Sequence, residues 1–97
     1  MSLTIGEIDG FLVEIRVARA RLQDTNDRLQ KMSKELFQRC VDAKVEENET
    51  RAIIYANECA AVRKFSACLT QAIGAVDKTI EALLALEKIS PNPKRPC

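Results

Sequence analysis

The chain has 97 residues, enough for one small domain, and its 15 basic side chains nearly balance its 14 acidic ones. This balance removes a net-charge argument for binding nucleic acid, and no apolar run approaches the roughly 18 residues that a membrane-spanning helix needs. The absence of histidine and of C-x-x-C spacing argues against zinc, so we predict no metal and no cofactor. The amino terminus lacks a secretory pattern, so we expect a cytoplasmic protein.

The first half of the chain repeats an apolar residue every seven positions, which predicts a long helix with a coiled-coil-like core. Thr4 and Glu7 have the spacing of a capping box, so we expect the helix to begin near residue 5. The repeat consists of Ile8, Ile15, Leu22, Leu29 and Leu36. We place the second core position of each heptad three residues later, at Phe11, Ala18, Thr25 and Met32.

The segment that follows contains the predicted corner. Between Val45 and Glu49 there is neither glycine nor proline, and Asn48 is the residue best suited to a turn. Its backbone can adopt the left-handed conformation, or its side chain can cap the next helix. The spacing from Leu36 to Val62 is not a multiple of seven, which favours a chain that folds back. A single continuous helix remains an alternative for an assembled state.

The second half carries a matching repeat, which predicts a second helix packed antiparallel on the first. Its members are Tyr55, Val62, Leu69, Val76 and Leu83, and this order places Val62 opposite Leu36 and Val76 opposite Leu22. The sequence therefore predicts an all-α fold, a long antiparallel two-helix hairpin of about 60 Å. We assign residues 1–90 to this core, with helices near 5–45 and 49–89, and 91–97 to a disordered, proline-rich tail.

Many apolar residues fall outside the predicted core, more than we expect on the surface of so thin a rod. They are Val13, Val17, Phe37, Val41, Ile53, Ile54, Leu84 and Ile89. Isolated apolar side chains on a surface need no explanation, but a set of this size favours packing with further helices, either other copies or other chains. As self-assembly residues we single out Phe37, Val41, Ile53, Ile54, Leu84 and Ile89. The alanines of the second helix would permit close helix approach, although high helix propensity explains them nearly as well.

Positive charge is concentrated on the first helix. Residues 16–44 hold eight basic and four acidic side chains, whereas the second helix is balanced. Such a run is often no more than a solvated surface, but it also suits an acidic membrane. Nucleic acid is not predicted, because the basic residues lack interleaved aromatics and a binding module. The candidate membrane-binding residues are Arg16, Arg19, Arg21, Arg28, Lys31 and Lys34.

The sequence gives little support to catalysis. No serine or cysteine has an identifiable base partner, so we predict no catalytic residues and a protein that is not an enzyme. A helical hairpin with scattered arginines also resembles the small helical chorismate mutases, but that function would require a polar pocket interrupting the regular core. Cys40 and Cys59 fall near each other in the hairpin, where we expect buried free thiols rather than a disulfide.

Two segments resemble a known family. Arg51–Lys64, with the sequence RAIIYANECAAVRK, looks like the start of the second core helix in archaeal ESCRT-III-like cell-division proteins, the CdvB group. Arg28–Lys44 looks like the end of their first helix, and the resemblance covers about residues 10–88. It implies a helical hairpin that polymerises, together with related ESCRT-III-like subunits, into filaments on the inner face of the cell membrane. Such filaments constrict the division neck and are turned over by a Vps-type AAA ATPase.

The chain departs from the family pattern at its carboxyl end. Family members continue with shorter helices and a segment that recruits the ATPase, whereas this sequence stops at Pro91–Cys97. We therefore expect a fragment or a reduced variant, and ATPase recruitment is not carried over. The alternative function is a coiled-coil adaptor or structural protein with no membrane activity.

Overall fold

A computed structural model describes residues 4–89, which form two α-helices, α1 (Ile5–Val45) and α2 (Glu49–Ile89). The helices pack antiparallel along their length into a rod with principal-axis extents of 73, 18 and 17 Å. The predicted all-α helical hairpin is confirmed, and its helices have the ranges that the sequence predicts. The predicted tail, 91–97, lies outside the described residues.

The amino-terminal end of α1 is capped by Thr4. Its hydroxyl accepts a hydrogen bond from the Glu7 backbone N–H at 3.1 Å and lies 3.2 Å from the Glu7 carboxylate, to which it can donate. The cap satisfies one of the backbone donors that a helix leaves unpaired in its first turn. The acidic side chain of Glu7 also lies in the first turn, where the helix dipole favours negative charge.

Two consecutive residues form the corner: Glu47 ends the first helix, and Asn48 starts the second. Glu47 has a φ of 59°, and the N–H groups of Glu47 and Asn48 donate to the carbonyls of Lys44 and Ala43. This is a Schellman motif, which closes α1. The Asn48 side chain then accepts from the Arg51 N–H at 3.1 Å and caps α2. Of the two roles predicted for Asn48, capping is the one it performs, because Glu47 takes the left-handed conformation.

Glu47→Gly should stabilise the hairpin by about 0.5–1 kcal/mol, because a left-handed backbone is strained for any residue with a Cβ atom. Glu46 offers the matched control, since its φ of −78° needs no glycine. Glu46→Gly should destabilise by a similar amount through the entropy of the unfolded chain. Thermal unfolding followed by circular dichroism measures both changes, and equal effects of the two substitutions would contradict this account of the corner.

The interhelical core uses two positions of each heptad, which we label a and d. In α1 the predicted apolar repeat occupies d, and Leu36 is buried there. The other core position lies four residues after d, not three, so the predicted placement of Phe11, Ala18, Thr25 and Met32 in the core is wrong: all four are exposed. The residues at position a of α1 are Ile5, Leu12, Arg19, Asn26, Ser33 and Cys40. Those of α2 are Ala52, Cys59, Ser66, Ile73, Ile80 and Glu87.

Small side chains are concentrated in the half of the core nearest the corner, alongside larger residues such as Leu36. Ala43 and Ala52 are buried close to the corner, and Ser33, Cys59 and Ser66 are buried further along the rod. Small side chains let two helix axes approach closely, as the alanines of α2 suggested. Of those alanines, however, Ala52 is buried between the helices, whereas most of the others lie exposed on the outside of α2.

Candidate interaction surfaces and polar core

Polar side chains cross the middle of the hairpin core at three levels. In the level nearest the open end, the Arg19 guanidinium donates two hydrogen bonds to the Asp77 carboxylate, so each oxygen has one partner. The bond to Asp77, together with the negative charge of that carboxylate, raises the pKa of Arg19 above its ordinary value. The arrangement ties one basic residue of α1 to one acidic residue of α2 and fixes which levels of the two helices face each other.

The second level is a buried hydrogen-bond network around Asn26. The Asn26 amide donates to the Thr70 hydroxyl at 3.2 Å and accepts from the Ser66 hydroxyl. The Thr70 hydroxyl in turn donates to the Ser66 backbone carbonyl at 3.0 Å. Asn26 and Ser66 are both buried. Because each buried polar group has a partner, the network costs little desolvation free energy while it specifies the pairing of the two helices.

The third level joins Ser33 to two residues of α2. The Cys59 thiol donates to the Ser33 carbonyl at 3.4 Å, and the Arg63 guanidinium donates to the Ser33 hydroxyl at 3.0 Å. Nearer the corner, the Cys40 thiol donates to the Ala52 carbonyl at 3.3 Å. The predicted proximity of Cys40 and Cys59 is therefore wrong, because they lie at different levels. Both are free thiols, as expected, but only Cys59 is buried and Cys40 is half-buried.

The contacts of Arg63 identify one side of the rod. Its guanidinium lies 5.5 Å from the centroid of the Phe37 ring, in cation–π geometry. Phe37 and Arg63 occupy position e of their heptads, and in an antiparallel pair the e and b positions of both helices share one side. We call this the Phe37 side. The g and c positions share the opposite side, which we call the Phe65 side.

The Phe37 side has an open depression of about 280 Å³ in its middle, lined by Gln30, Ser33, Lys34, Arg63 and Ser66. Between this depression and the corner, Phe37, Val41 and Ile53 are exposed large apolar residues. Lys31 and Lys64 lie on the outer edges of the two helices at the level of the depression. We call the set Lys31, Lys34, Phe37, Val41, Ile53, Arg63 and Lys64 the basic–apolar patch.

The Phe65 side carries a second heptad repeat on α2. Every position c between Ile54 and Ile89 is apolar: Ile54, Ala61, Cys68, Ala75, Ala82 and Ile89. Position g adds Phe65, Ala72 and Leu86, and between those ends only Glu58 and Thr79 interrupt the pattern. We call the apolar residues at these two positions the alanine stripe. Nearly all of its members are exposed, so α2 presents a coiled-coil-like surface that the hairpin itself leaves uncovered.

The six predicted basic residues do not form one surface. Arg19 is a correction, because it occupies core position a, where it is only partly exposed, and its guanidinium is paired with Asp77 of α2. Arg21 and Arg28 occupy position c on the Phe65 side, and Arg28 pairs with Asp24 at 3.0 Å. The remaining three are Arg16 and Lys34 on the Phe37 side and Lys31 on the outer edge of α1.

The six predicted self-assembly residues also divide between the two sides. Ile54 and Ile89 belong to the alanine stripe, whereas Phe37, Val41, Ile53 and Leu84 lie on the Phe37 side. The prediction missed Phe65 and Leu86, two exposed apolar residues that complete the stripe. The signal was in the sequence, because Phe65, Ala72 and Leu86 recur at multiples of seven residues beside the repeat from Ile54 to Ile89.

Within the described helices, no segment is both long and apolar enough to cross a membrane. Among residues 4–89, the cysteine, aspartate and glutamate side chains do not converge in a group of three or more that could hold a metal ion. No protein-family model, curated protein or solved structure matches this chain.

Proposed function

We propose that the chain is a self-assembling hairpin that forms polymers on membranes and takes part in membrane remodelling during cell division. The observation that carries this proposal is the alanine stripe, a second heptad repeat that lies outside the hairpin core. The resemblance of Arg51–Lys64 to archaeal ESCRT-III-like proteins of the CdvB group supports the cellular role. On this proposal the partners are other copies, related subunits and the acidic inner face of the cell membrane at the division site.

The stripe is suited to another helix as its partner. From Ile54 to Ile89 it spans 36 residues, or about 50 Å of helix, which a helix as long as α2 would cover. Its alanines and Cys68 permit close approach, and Phe65 and Leu86 supply larger apolar side chains. A second copy of the chain offers the same surface, as a symmetric interface requires. Copies joined in this way would bury apolar area that a single hairpin exposes to water.

Ala75→Arg should abolish self-association, because a charged side chain in the middle of the stripe cannot be buried without a partner. Ala67→Arg is the matched control, since Ala67 is an equally exposed alanine of α2 on the Phe37 side. Analytical ultracentrifugation over a wide concentration range should show association for the unmodified chain and for Ala67→Arg. A monomer at every concentration, or equal effects of both substitutions, would refute the proposed interface.

Electron microscopy of the chain mixed with acidic liposomes tests the membrane part of the proposal. Filaments or coats on acidic liposomes, and their absence on neutral ones, are the expected result. The alternative is a coiled-coil adaptor, which the stripe and the polar core would serve equally well without any lipid. Self-association that continues while the liposomes remain bare would favour the adaptor. Turnover by a Vps-type ATPase would require segments beyond the described hairpin.

A further inference from the structure

Charge is segregated between the two sides of the hairpin in the half that contains the corner. Asp27 lies on the Phe37 side one turn before Gln30. On that side, among the described residues from Gln30 to the corner and back along α2 to Arg63, the only carboxylate is that of Glu49. It pairs with Lys44 at 3.1 Å. The other acidic residues of the two helices in this half occupy positions c and g on the Phe65 side: Glu35, Asp42 and Glu58. Lys34 and Arg63 on this side, with Lys31 and Lys64 on the adjoining outer edges, therefore create a region of positive potential.

The same region exposes apolar side chains beside the basic ones. Phe37, Val41 and Ile53 lie between the four basic residues and the corner, and all three are classed as exposed. Arg63 lies over the Phe37 ring and so joins the basic and apolar parts into one surface. Surfaces that combine exposed apolar side chains with lysine and arginine are typical of proteins that lie in the interface of an acidic bilayer.

We propose that the basic–apolar patch is the surface with which the hairpin lies on an acidic lipid bilayer. In this arrangement Lys31, Lys34, Arg63 and Lys64 contact lipid phosphates and carboxylates, while Phe37, Val41 and Ile53 reach the boundary between the headgroups and the acyl chains. The inference rests on the proposed function and deepens it, because it replaces a dispersed set of basic residues by one surface. It also assigns Phe37, Val41 and Ile53 to lipid instead of to neighbouring copies.

The composition of the patch favours lipid over other anionic partners. Aliphatic side chains such as Val41 and Ile53 gain nothing from a phosphate backbone, but they gain from insertion between lipid chains. The corner itself carries Glu46 and Glu47, so the rod would lie on its side instead of standing on its tip. The alanine stripe is on the opposite side, so assembly through it leaves the patches exposed. Each patch is small, and many patches in one polymer would bind firmly through avidity.

A pair of charge-reversal variants on α1 tests the electrostatic part. Lys31→Glu/Lys34→Glu should weaken binding to vesicles of phosphatidylcholine and phosphatidylserine by at least about thirtyfold, the effect expected for two basic contacts. Arg21→Glu/Arg28→Glu reverses the same number of charges on the same helix, but on the Phe65 side, and should change binding far less. Vesicle sedimentation measures the binding, and circular dichroism verifies that both variants remain helical.

Two single-tryptophan variants test which side touches the lipid. The chain has no tryptophan, so an introduced one reports its own surroundings without interference from another. Phe37 and Phe65 are matched, with 52% and 57% of their surfaces exposed on opposite sides of the rod. Phe37→Trp should be quenched by lipids with brominated acyl chains, and Phe65→Trp should not. Brominated lipid distinguishes contact with the bilayer from burial between copies. Burial between copies would shift the tryptophan emission, but it would not bring the ring close to bromine.

The outcomes separate this inference from the function on which it rests. Loss of binding in the Lys31/Lys34 variant, with selective quenching of the Phe37→Trp variant, supports the patch. Two results would overturn the patch but not membrane assembly, provided that the unmodified protein binds acidic vesicles. One is an equal loss of binding in both charge variants, and the other is equal quenching of both tryptophans. Unmodified protein that ignores acidic vesicles would overturn both. Binding to short duplex DNA as tight as to the vesicles would also overturn the assignment to lipid.

Discussion

Leu36→Ala should lower the free energy of unfolding by about 2–4 kcal/mol, the cost of truncating a large side chain in a packed core. Leu36 is 8% exposed at position d, in the half of the core nearest the corner, where close packing lets the surrounding side chains fill the resulting cavity only in part. A two-helix hairpin has little stability to lose, so the variant should be largely unfolded at room temperature. Chemical denaturation followed by circular dichroism measures the change.

Met32→Ala is the matched control, because the sequence pattern places Met32 in the core and the structure leaves 47% of it exposed. On an exposed site the truncation should change the free energy of unfolding by no more than about 0.5 kcal/mol. Equal losses at Leu36 and Met32 would mean that the heptad phase described above is incorrect. In that case both phenylalanine sides would also have to be reassigned.

This pair of residues shows how far the sequence determines the fold. One apolar residue per heptad is enough to predict two helices, their bounds and their antiparallel packing, because a seven-residue period gives a continuous stripe on each. It does not fix whether the second core position follows three or four residues later. Here the correct position holds Arg19, Asn26 and Ser33, so hydrophobicity pointed to Met32 and its equivalents instead.

The candidate surfaces were less predictable than the fold, for a related reason. A sequence displays the charges of each helix, but the side of the rod that a charge occupies depends on the heptad phase. Arg19 appeared to belong to a basic surface because its partner, Asp77, is 58 residues away along the chain. The corner was easier, since Asn48 is a good cap in any context, but nothing local marks Glu47 as the left-handed residue.

Asn26→Ala should lower the free energy of unfolding by about 1–3 kcal/mol, because it removes the partner of two hydroxyl groups. The Ser66 hydroxyl would be left buried without its acceptor, and the Thr70 hydroxyl would lose the amide that donates to it. Thr25→Ala, at the adjacent exposed position, should have an effect within about 0.5 kcal/mol. Chemical denaturation measures both, and a neutral Asn26→Ala would show that the network contributes nothing to stability.

Replacing the buried polar layer formed by Asn26 and Ser66 with apolar residues tests the second role of this network, which is to specify the pairing of the helices. Asn26→Leu/Ser66→Ala leaves no buried polar group without a partner, so its stability should equal or exceed that of the unmodified chain. The variant should also lose specificity of helix pairing, because a buried polar layer selects one register and one number of helices in coiled coils.

Replacing the layer would let α1 and α2 pair in other registers or between chains. Sedimentation equilibrium should then show new dimers in which helices are exchanged, even when Ala75→Arg blocks the alanine stripe. If the apolar variant remains a single species with that block in place, the polar layer does not specify the hairpin, and the closed form depends on the corner alone.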